Sequence, residues 1–590
     1  MKKLLFLLLA TTSLASHADE GMWMLNRIDP KTADIMRGLG LQLSPLQLYN
    51  PDGESLKDCV VDFCDFCSGV VVSPEGLVFT NHHCGFSGIQ KLSTTDDDIL
   101  RNGFAAKSYA EERPVEGFFV RFLERTEECT GRVMRAMNEI YKANPDKEPK
   151  QLDSENLDSV MTAVEKEYGE KYPDRYCLVK SYYGGNAYFV SIYKVYHDIR
   201  LVFTPTQTLG KFGGDTDNWM WPRQTCDFSV FRIYATEDGE PAEYAQDNVP
   251  LKAKHYAKVS LEGFQPGDYC MTVGYPGSTD RYLSSYGINE RVNGTNVSMI
   301  DVRGRKQEVW KKWMDSDRAI AIKYASKFAS SSNYWKNSIG MNEAIIDNKV
   351  LEAKAEQERQ FNAYVNNIYD NSILSSRANL DKFLKKPTTK AIDKDPLTAY
   401  SRSVNAKMLE VQNAGRELED LSLLHKVYIR GLNEMKDTPA YSDANFTMRL
   451  TYGNVKSYEP RDAVHYKYYT TADGVLEKED PTNPEFVVPA KLKELIQKRD
   501  FGRYAMADGT LPACFLTTND ITGGNSGSPV MDAEGNLIGI AFDGNWESLS
   551  GDINFDNDLQ RCIAVDIRYV LFVIDKLGNC QRLINEMNII

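Results

Sequence analysis

The stretch GGNSGSP at residues 523–529 places Ser526 among glycines, and the apolar pair Val530–Met531 follows it directly. Glycine permits turns in which successive backbone amides point to one place. Here the amides of Gly524 and Ser526 can converge beside the serine hydroxyl and bind an oxyanion. A Gly/Ser turn without function is the alternative, but this order of residues favours a nucleophilic serine at Ser526.

A pair of histidines lies far upstream, in the segment TNHHCG at residues 80–85. It ends a β-rich segment at 66–80, FCSGVVVSPEGLVFT, which contains a Pro-Glu-Gly turn. Histidine is the usual general base near neutral pH because its unperturbed pKa is about 6.5. Neighbouring side chains on a strand point to opposite faces, so His82 and His83 are not expected to share a metal ion. A pair of surface or core histidines is the alternative to a catalytic base.

A histidine base needs an acid that holds the imidazole in the correct tautomer and stabilises the imidazolium. Asp227, in the segment RQTCDF at 223–228, lies between the histidines and the serine. Asp215 and Asp217 are rivals, and their alternative role is to cap a loop or to bind an ion. Position along the chain does not select among the three.

The order of β-rich and helical segments predicts a mixed β and α architecture. Residues 19–276 are mainly β-rich, with charged segments of helical periodicity at about 95–175. Residues 277–504 carry apolar residues at helical spacing with charges between them, and they predict an inserted, mostly helical domain. Short β-branched and aromatic runs resume at 505–590. A length of 590 residues fits two or three domains.

The first 18 residues have the pattern of a secretory signal peptide, with Lys2 and Lys3, an apolar run and small residues ending at Ala18. The apolar run is too short to span a bilayer, which takes about 20 residues. No later stretch is long and apolar enough to do so. We therefore expect an exported protein without a membrane span, in the periplasm or on the cell surface.

Composition disfavours several other classes of function. A formal net charge of −14 argues against nucleic-acid binding. The 11 cysteines permit disulfides in an exported protein, and their odd number leaves at least one thiol unpaired. Cys64 and Cys67 form a CxxC segment, but no second CxxC or metal-binding histidine pair completes a metal set. The sequence predicts no metal and no cofactor.

Longer motifs indicate a family. The TxxHC and GNSGSP patterns resemble those of the chymotrypsin clan, and the chain is more closely similar to the dipeptidyl peptidase 7 and 11 family, the S46 serine exopeptidases. The motifs that carry this resemblance are TNHHCG, GGDTDNWMWPR at 213–223, SSSNYWKN at 330–337, GGNSGSP, FDGNWE at 542–547, and DEGMWML at 19–25. The resemblance implies a chymotrypsin-like double β-barrel with an inserted helical cap domain. It also implies release of dipeptides from the free amino end of peptide substrates, and it suggests a homodimer.

The resemblance implies roles for individual residues as well. It makes His83 the base, Asp227 its orienting acid and Ser526 the nucleophile. It assigns the substrate's amino group to a carboxylate and its neutral neighbours: Asn218, Trp219, Asn333 and Asp543. A buried ammonium needs such a set, because its desolvation is otherwise not offset.

Three further expectations come from the same comparison. Chymotrypsin-like enzymes link the hairpin before the catalytic histidine, which implies a Cys67–Cys84 disulfide. The family usually shows His-Thr-Gly-Asp where this chain has QTCD at 224–227, so the neighbours of the acid differ. The helical region looks shortened between about 365 and 440, and a shorter cap could loosen the selection for free amino ends.

The position after Asp543 separates the two branches of the family. The acid-specific branch places an arginine there, whereas this chain has Gly544. An open, uncharged S1 pocket favours an apolar or aromatic second residue in the substrate, as in the dipeptidyl peptidase 7 branch. The alternatives are acidic specificity through an arginine from elsewhere, an endopeptidase on the same fold, and an inactive peptide-binding relative.

Overall fold

The structure, a computed structural model, describes residues 20–147, 149–368, 426, 428–435 and 440–590. The predicted signal peptide at 1–18 lies outside these ranges, as does most of the segment 365–440. The described chain is a mixed α and β fold built on two large antiparallel sheets. The predicted mixed class is therefore confirmed.

The first sheet has 11 strands and is formed from residues between 60 and 250. Its segments are rich in β-branched and aromatic residues, which suit a pleated, buried surface. The spatial order is Phe104–Ala105, Asp198–Thr204, Ser229–Ala235, Leu77–Thr80, Cys67–Val71, Val60–Phe63, Val120–Glu128, Ala187–Tyr196 and Tyr176–Tyr182, with Arg113–Pro114 and Val249–Pro250 pairing alongside. The central hairpin of Cys67–Val71 and Leu77–Thr80 leads directly to the histidine pair.

The second sheet has eight strands drawn from distant parts of the chain. Trp23 pairs with Leu450, and Met271 pairs with Met531. The spatial order is Trp23–Met24, Arg449–Asn454, Tyr269–Gly274, Pro529–Met531, Leu537–Gly544, Cys562–Asp566, Pro512–Thr517 and Tyr469–Thr471. A separate hairpin joins Tyr458–Arg461 to Val464–Tyr466. Among the described residues, no strand ladder closes either sheet into a barrel.

The sheets do not follow the boundaries predicted at 276/277 and 504/505. Tyr269–Gly274 lies in the second sheet although it precedes residue 277, and Arg449–Asn454 and Tyr469–Thr471 lie there although they precede residue 505. The predicted helical excursion at 95–175 likewise contains the strand Val120–Glu128. Local periodicity reveals that a segment is a strand, but it does not reveal the distant strand with which that segment pairs.

Helices flank the two sheets. The α-helices are Pro30–Leu39, Pro45–Leu48, His82–Leu92, Ile99–Asn102, Thr130–Ala143, Pro149–Lys171, Gln207–Gly210, Ser285–Glu290, Asn296–Ser316, Arg318–Asp347, Val350–Ile368, Asp473–Glu477, Ala490–Lys498, Ile567–Phe572 and Gln581–Glu586, and the described residues 428–435 are helical as well. Within the described ranges, no helix is both long enough and apolar enough to cross a bilayer.

One buried cluster joins the two sheets. Val70 and Phe231 of the first sheet and Leu516 and Ile540 of the second belong to this contiguous core, and all four are fully buried. Each such side chain stabilises the folded state by about 1.5–3 kcal/mol relative to exposure. The shared core holds the histidine hairpin of the first sheet against the serine turn of the second.

The helix Arg318–Asp347 contacts elements that follow strands of both sheets. The Asp317 carboxylate caps its start by accepting from the backbone N–H groups of Ala319 and Ile320. The helix packs against the turn Trp546–Ser550 and against the helix His82–Leu92. Gln90 on that second helix donates to Lys323 O at 3.0 Å and accepts from Ser326 N at 3.1 Å. Arg318–Asp347, called the cap helix below, therefore bridges the helix that carries His83 and the turn that follows Asp543.

Candidate active site

His83 and Asp227 form a hydrogen-bonded pair. His83 Nδ1 lies 2.7 Å from Asp227 Oδ2, and the His83 backbone N–H donates to Asp227 Oδ1 at 3.1 Å. Asn81 Nδ2 donates to the Asp227 carbonyl at 2.9 Å, which fixes the backbone that carries the acid. The carboxylate side chain is 8% exposed and the imidazole 44% exposed, so one edge of His83 faces solvent.

The pairing shifts the pKa of both groups. Desolvation by burial would lower the pKa of His83, but the charge and hydrogen bond of Asp227 outweigh it and raise this pKa above its ordinary value. Burial would raise the pKa of Asp227, but His83 holds it below its usual range. An ionised Asp227 that orients a neutral or protonated imidazole is the arrangement that a general base requires.

His82 lies in a different environment. The strand Leu77–Thr80 ends before the pair, and both histidines begin the helix His82–Leu92, so the prediction that they lie on a strand was wrong. His82 is 1% exposed, and its ring packs edge-on against Phe86. Desolvation lowers the pKa of His82 to about 4, which keeps it neutral near pH 7. Only His83 of the two is open to a substrate.

The turn around Ser526 requires its glycines. Gly524 has a φ of +102°, and a Cβ built on it would lie 2.3 Å from Tyr275 O. Gly527 has a φ of +84°, and its Cβ would lie 2.1 Å from Ser68 O. Side chains at both positions are therefore excluded by backbone contacts as well as by conformation. The turn leaves Ser526 partly exposed.

Ser68 ties this turn to the first sheet, and the sequence reasoning missed it. Its hydroxyl donates to Gly524 O and accepts from Tyr275 N, both at 2.8 Å. Its backbone N–H donates to Ser526 O at 2.8 Å. The buried strand serine next to Cys67 was the available signal. These bonds hold the serine turn close to the hairpin that leads to His83.

The backbone amides of Gly524 and Ser526 are available to a ligand. In the part of the chain that the structure describes, neither amide donates to another residue, whereas those of Asn525, Gly527 and Ser528 do. Two free N–H groups beside a serine hydroxyl are the elements of an oxyanion hole. Within the same ranges, no hydrogen bond joins Ser526 Oγ to His83 Nε2. Catalytic hydrogen bonds often shorten only when substrate binds.

The predicted Cys67–Cys84 disulfide is present, with a Cα–Cα distance of 6.1 Å. The two sulfur atoms and a ring nitrogen of His83 lie within 4.8 Å of one another. Sulfur atoms bonded to each other offer no thiolate, so this cluster is not a metal site. The bond instead links the central strand of the first sheet to the helix that carries His83.

The four residues predicted to bind an amino group come together from three distant segments. Asn218 Nδ2 and Trp219 Nε1 both donate to Asn333 Oδ1 at 3.0 Å. The Trp219 backbone N–H donates to Asp543 Oδ2, also at 3.0 Å. The Gly527 N–H donates at 2.9 Å to the carbonyl of Ala541, two residues before Asp543, so Asp543 lies close to the serine turn.

Arg223 is a member of this site that the sequence reasoning missed. Its Nη1 pairs with Asp543 Oδ2, and both side chains are buried, at 7% and 5% exposed. The guanidinium also lies over the ring of Phe542, 5.0 Å from its centroid. The arginine that ends the GGDTDNWMWPR motif was the available signal. Asp543 is therefore a partly neutralised carboxylate and not the lone charge that we expected.

The structure separates Asp227 from its two rivals. Asp215 pairs with Lys211 at 2.7 Å, and Asp217 pairs with Lys478 at 2.8 Å. The contacts that the structure gives for either acid do not include a histidine. The partners that the fold supplies make the distinction, because Asp215 and Asp217 lie within the motif at 213–223 and Asp227 follows it by only four residues.

Gly544 continues the strand that carries Asp543, and it is buried. Its N–H donates to Asp543 Oδ1 at 3.0 Å. A Cβ at this position would lie 2.2 Å from Ser548 Oγ. The glycine therefore borders Asp543, and the Ser548 hydroxyl occupies the space in which a side chain at 544 would lie.

Comparison with known proteins gives this geometry a family. The sequence model of the Peptidase S46 family matches residues 18–367 and 358–589. The chain belongs to the peptidase S46 family. The predicted family and the prediction of a peptide-bond hydrolase are confirmed.

Individual relatives match this S46 peptidase over its whole length. Dipeptidyl-peptidase 7 of Phocaeicola vulgatus is 46% identical over 730 residues, with 100% of both chains covered. The Asp/Glu-specific dipeptidyl-peptidase of Porphyromonas gingivalis is 37% identical over 724 residues, again with 100% of both covered. The crystal structure of Porphyromonas endodontalis DPP11 in complex with the dipeptide Arg-Glu is similar with a TM-score of 0.87 and 34% identity, covering 96% of this chain and 99% of that one.

The same alignments are longer than this chain. They extend over 730 and 724 residues, whereas this S46 peptidase has 590. The family model matches in two parts that meet at 358–367. The break lies at the beginning of the segment in which a shortened helical region is predicted, and that segment is mostly outside the described residues.

Proposed function

We propose that this S46 peptidase is a serine-type dipeptidyl peptidase that prefers an apolar or aromatic residue at the second position of the substrate. The observation that carries the proposal is the convergence of Asn218, Trp219, Asn333 and Asp543 in one hydrogen-bonded set whose carboxylate lies on the strand next to the serine turn. The names of the relatives support the release of dipeptides.

The chemistry that we propose is acyl transfer through Ser526. His83 Nε2 takes the proton of the Ser526 hydroxyl while its Oγ attacks the carbonyl carbon of the second residue. The N–H groups of Gly524 and Ser526 stabilise the oxyanion, and His83 then protonates the leaving amine. Water, activated by the same imidazole, hydrolyses the dipeptidyl-enzyme. Asp227 stays ionised throughout and stabilises the imidazolium.

The amino-group set explains why cleavage would stop at dipeptides. In the described part of the chain, Asp543 Oδ1 accepts only from the Gly544 N–H, so this carboxylate oxygen retains capacity for an ammonium. The amide oxygen of Asn218 can complete the shell, whereas Asn333 Oδ1 already accepts from Asn218 and Trp219 and orients them. An acetylated amino end carries no charge and adds bulk at the same place. We infer that a substrate whose amino group is held here places the carbonyl of its second residue at Ser526.

The preference for apolar side chains rests on Gly544. An acidic side chain in a pocket without a cationic partner loses hydration that nothing offsets. Arg223, a buried cation of this site, is already paired with Asp543. An apolar side chain would gain about 25 cal/mol per Å² of apolar surface that it buries. Acidic specificity is the second candidate, because acid-specific relatives are also similar over the full length.

Three further properties belong to the proposal. We infer export, because residues 1–18 have the pattern of a signal peptide. We infer that the two sheets correspond to the two halves of a chymotrypsin-like double β-barrel, since one sheet leads to the histidine and the other carries the serine. We infer a homodimer from the family resemblance alone.

The decisive experiment compares chromogenic dipeptidyl substrates that have a free or an acetylated amino end. We expect the free substrates to be strongly preferred, and Ser526→Ala to abolish turnover and fluorophosphonate labelling while the fold is retained. Removal of a triad member commonly costs about 10⁴-fold or more. Equal turnover of free and acetylated substrates would establish an endopeptidase instead. A wild-type chain that fails to react with fluorophosphonate would indicate an inactive relative.

A further inference from the structure

The loop at 213–219, which carries Asn218 and Trp219, is anchored to the body of the enzyme by Glu485. The Asp215 backbone N–H donates to Glu485 Oε1 at 2.8 Å, and Thr216 Oγ1 donates to Glu485 Oε2 at 2.6 Å. The Gly213 N–H donates to Glu485 O at 2.9 Å. One side of this loop is therefore held by three hydrogen bonds that Glu485 accepts.

The cap helix Arg318–Asp347 holds the other side of the same loop. Ser332 Oγ donates to Asp215 Oδ2 at 2.8 Å. Lys336 Nζ donates to the backbone carbonyls of Asp215 at 2.7 Å and Thr216 at 2.9 Å. Ser332 and Lys336 are four residues apart and so lie on one face of the helix. Asn333, which accepts from Asn218 and Trp219, lies between them in sequence.

Asp215 is the point at which these contacts meet. Its Oδ1 accepts from Lys211 at 2.7 Å, its Oδ2 from Ser332, and its carbonyl from Lys336. Burial would raise the pKa of Asp215, but the charge and hydrogen bond of Lys211 keep it below the usual range. Asp215 is therefore an ionised acceptor near neutral pH. Its hydrogen bonds are charge-assisted and are stronger than those between neutral groups.

We propose that Asp215, Ser332 and Lys336 form a clasp that positions Asn333 at the amino-group site and thereby sets the preference for free amino ends. Asn333 is exposed and belongs to the cap helix, whereas Asp543 belongs to the second sheet. The two halves of the amino-group site keep their spacing only while the helix stays docked on the loop. These three are positioning residues, which act through Asn333. The inference rests on the proposed function.

The test uses the full-length enzyme and one pair of substrates, a dipeptidyl chromogenic amide with Leu at the second position, free or acetylated. Displacement of a binding group by about 1 Å can cost on the order of 100-fold. We expect Asp215→Asn and Ser332→Ala to raise KM for the free substrate about tenfold to 100-fold. We expect kcat, and turnover of the acetylated substrate, to change little. The ratio of kcat/KM between free and acetylated substrates should therefore fall.

Matched variants distinguish positioning from general damage. Asp217→Asn removes a second acid of the same loop, one that pairs with Lys478 and not with the cap helix. It should leave the free-to-acetylated ratio near that of the wild type. Ser332→Thr keeps the hydroxyl and should restore the ratio that Ser332→Ala loses. The rate of fluorophosphonate labelling should be the same in all variants, because the clasp does not touch the nucleophile.

Two results would overturn the clasp while leaving the proposed function intact. One is a wild type selective for free amino ends whose ratio is unchanged in Asp215→Asn. The other is an equal loss in the Asp215 and Asp217 variants. If Asp215→Asn does not fold, the comparison of Ser332→Ala with Ser332→Thr decides the question. A wild type without selectivity overturns the proposed function, and the clasp with it.

Discussion

Replacing Gly544 with arginine tests the assignment of the S1 pocket, and the structure sets the size of the effect. A Cβ at Gly544 lies 2.2 Å from Ser548 Oγ, 3.3 Å from Ser548 Cβ and 3.7 Å from Arg561 O. The Ser548 hydroxyl now donates to Asn545 O at 2.6 Å. The new side chain must displace that hydroxyl, and the loss of its hydrogen bond costs about 0.5–1.5 kcal/mol.

The gain for acidic substrates has a separate source. A hydrogen bond between the new guanidinium and a substrate carboxylate is worth about 1.5–3 kcal/mol. At about 1.4 kcal/mol for each factor of ten, the ratio of kcat/KM for Glu over Leu substrates should rise roughly 10- to 140-fold. In Gly544→Arg, turnover of the Leu substrate should fall, because the guanidinium occupies space that the apolar side chain uses. Adding Ser548→Gly should recover the part lost to the displaced hydroxyl.

The assay measures kcat/KM for two free-amino substrates that differ only in Leu or Glu at the second position. Four enzymes complete the cycle: wild type, Gly544→Arg, Ser548→Gly and the double variant. Ser548→Gly alone is the control, and it should not create turnover of the Glu substrate. A wild type that prefers Glu, or an arginine variant with an unchanged ratio, would refute the pocket assignment.

Three other predictions concern the pH dependence of kcat/KM, the Cys67–Cys84 disulfide and the carboxylate of Asp543. Asp227 raises the pKa of His83, and the base must be neutral, so kcat/KM should rise with pH with a midpoint above about 6.5. Asp227→Asn should move this midpoint to lower pH, and an unchanged midpoint would contradict the pairing. Replacing Cys67 and Cys84 with serine removes a disulfide between residues 17 positions apart, which should lower the free energy of unfolding by about 3 kcal/mol. An unchanged midpoint of urea unfolding would argue against the disulfide. Asp543→Ala leaves the buried guanidinium of Arg223 unpaired, so it should lower the free energy of unfolding by about 3–5 kcal/mol and remove most turnover of substrates with a free amino end. A melting temperature equal to that of the wild type would show that this ion pair is not formed.

Local sequence was sufficient for the features whose chemistry lies within a few residues. The glycines of 523–529 predicted a turn, and both Gly524 and Gly527 adopt positive φ angles. The resemblance predicted the Cys67–Cys84 disulfide correctly, because the two cysteines lie at either end of one short hairpin. The histidine pair was placed on a strand, although the strand ends at Thr80 and a helix begins at His82. An error of two residues at a boundary is enough to change which surfaces two side chains face.

The sequence by itself determined the mixed class, the family, and the motifs from which an active site is built, because turn chemistry and hydrophobic period are written in contiguous residues. Only the tertiary structure decided which partners those motifs acquire. It brought Asp227 to His83 and gave Asp215 to a lysine and the cap helix, although both acids belong to one short segment. It also paired Arg223 with Asp543 across 320 positions and joined Trp23 to Leu450 in one sheet. Such contacts depend on how distant elements pack around a shared core, so the sequence near one partner does not predict which residue the other partner is.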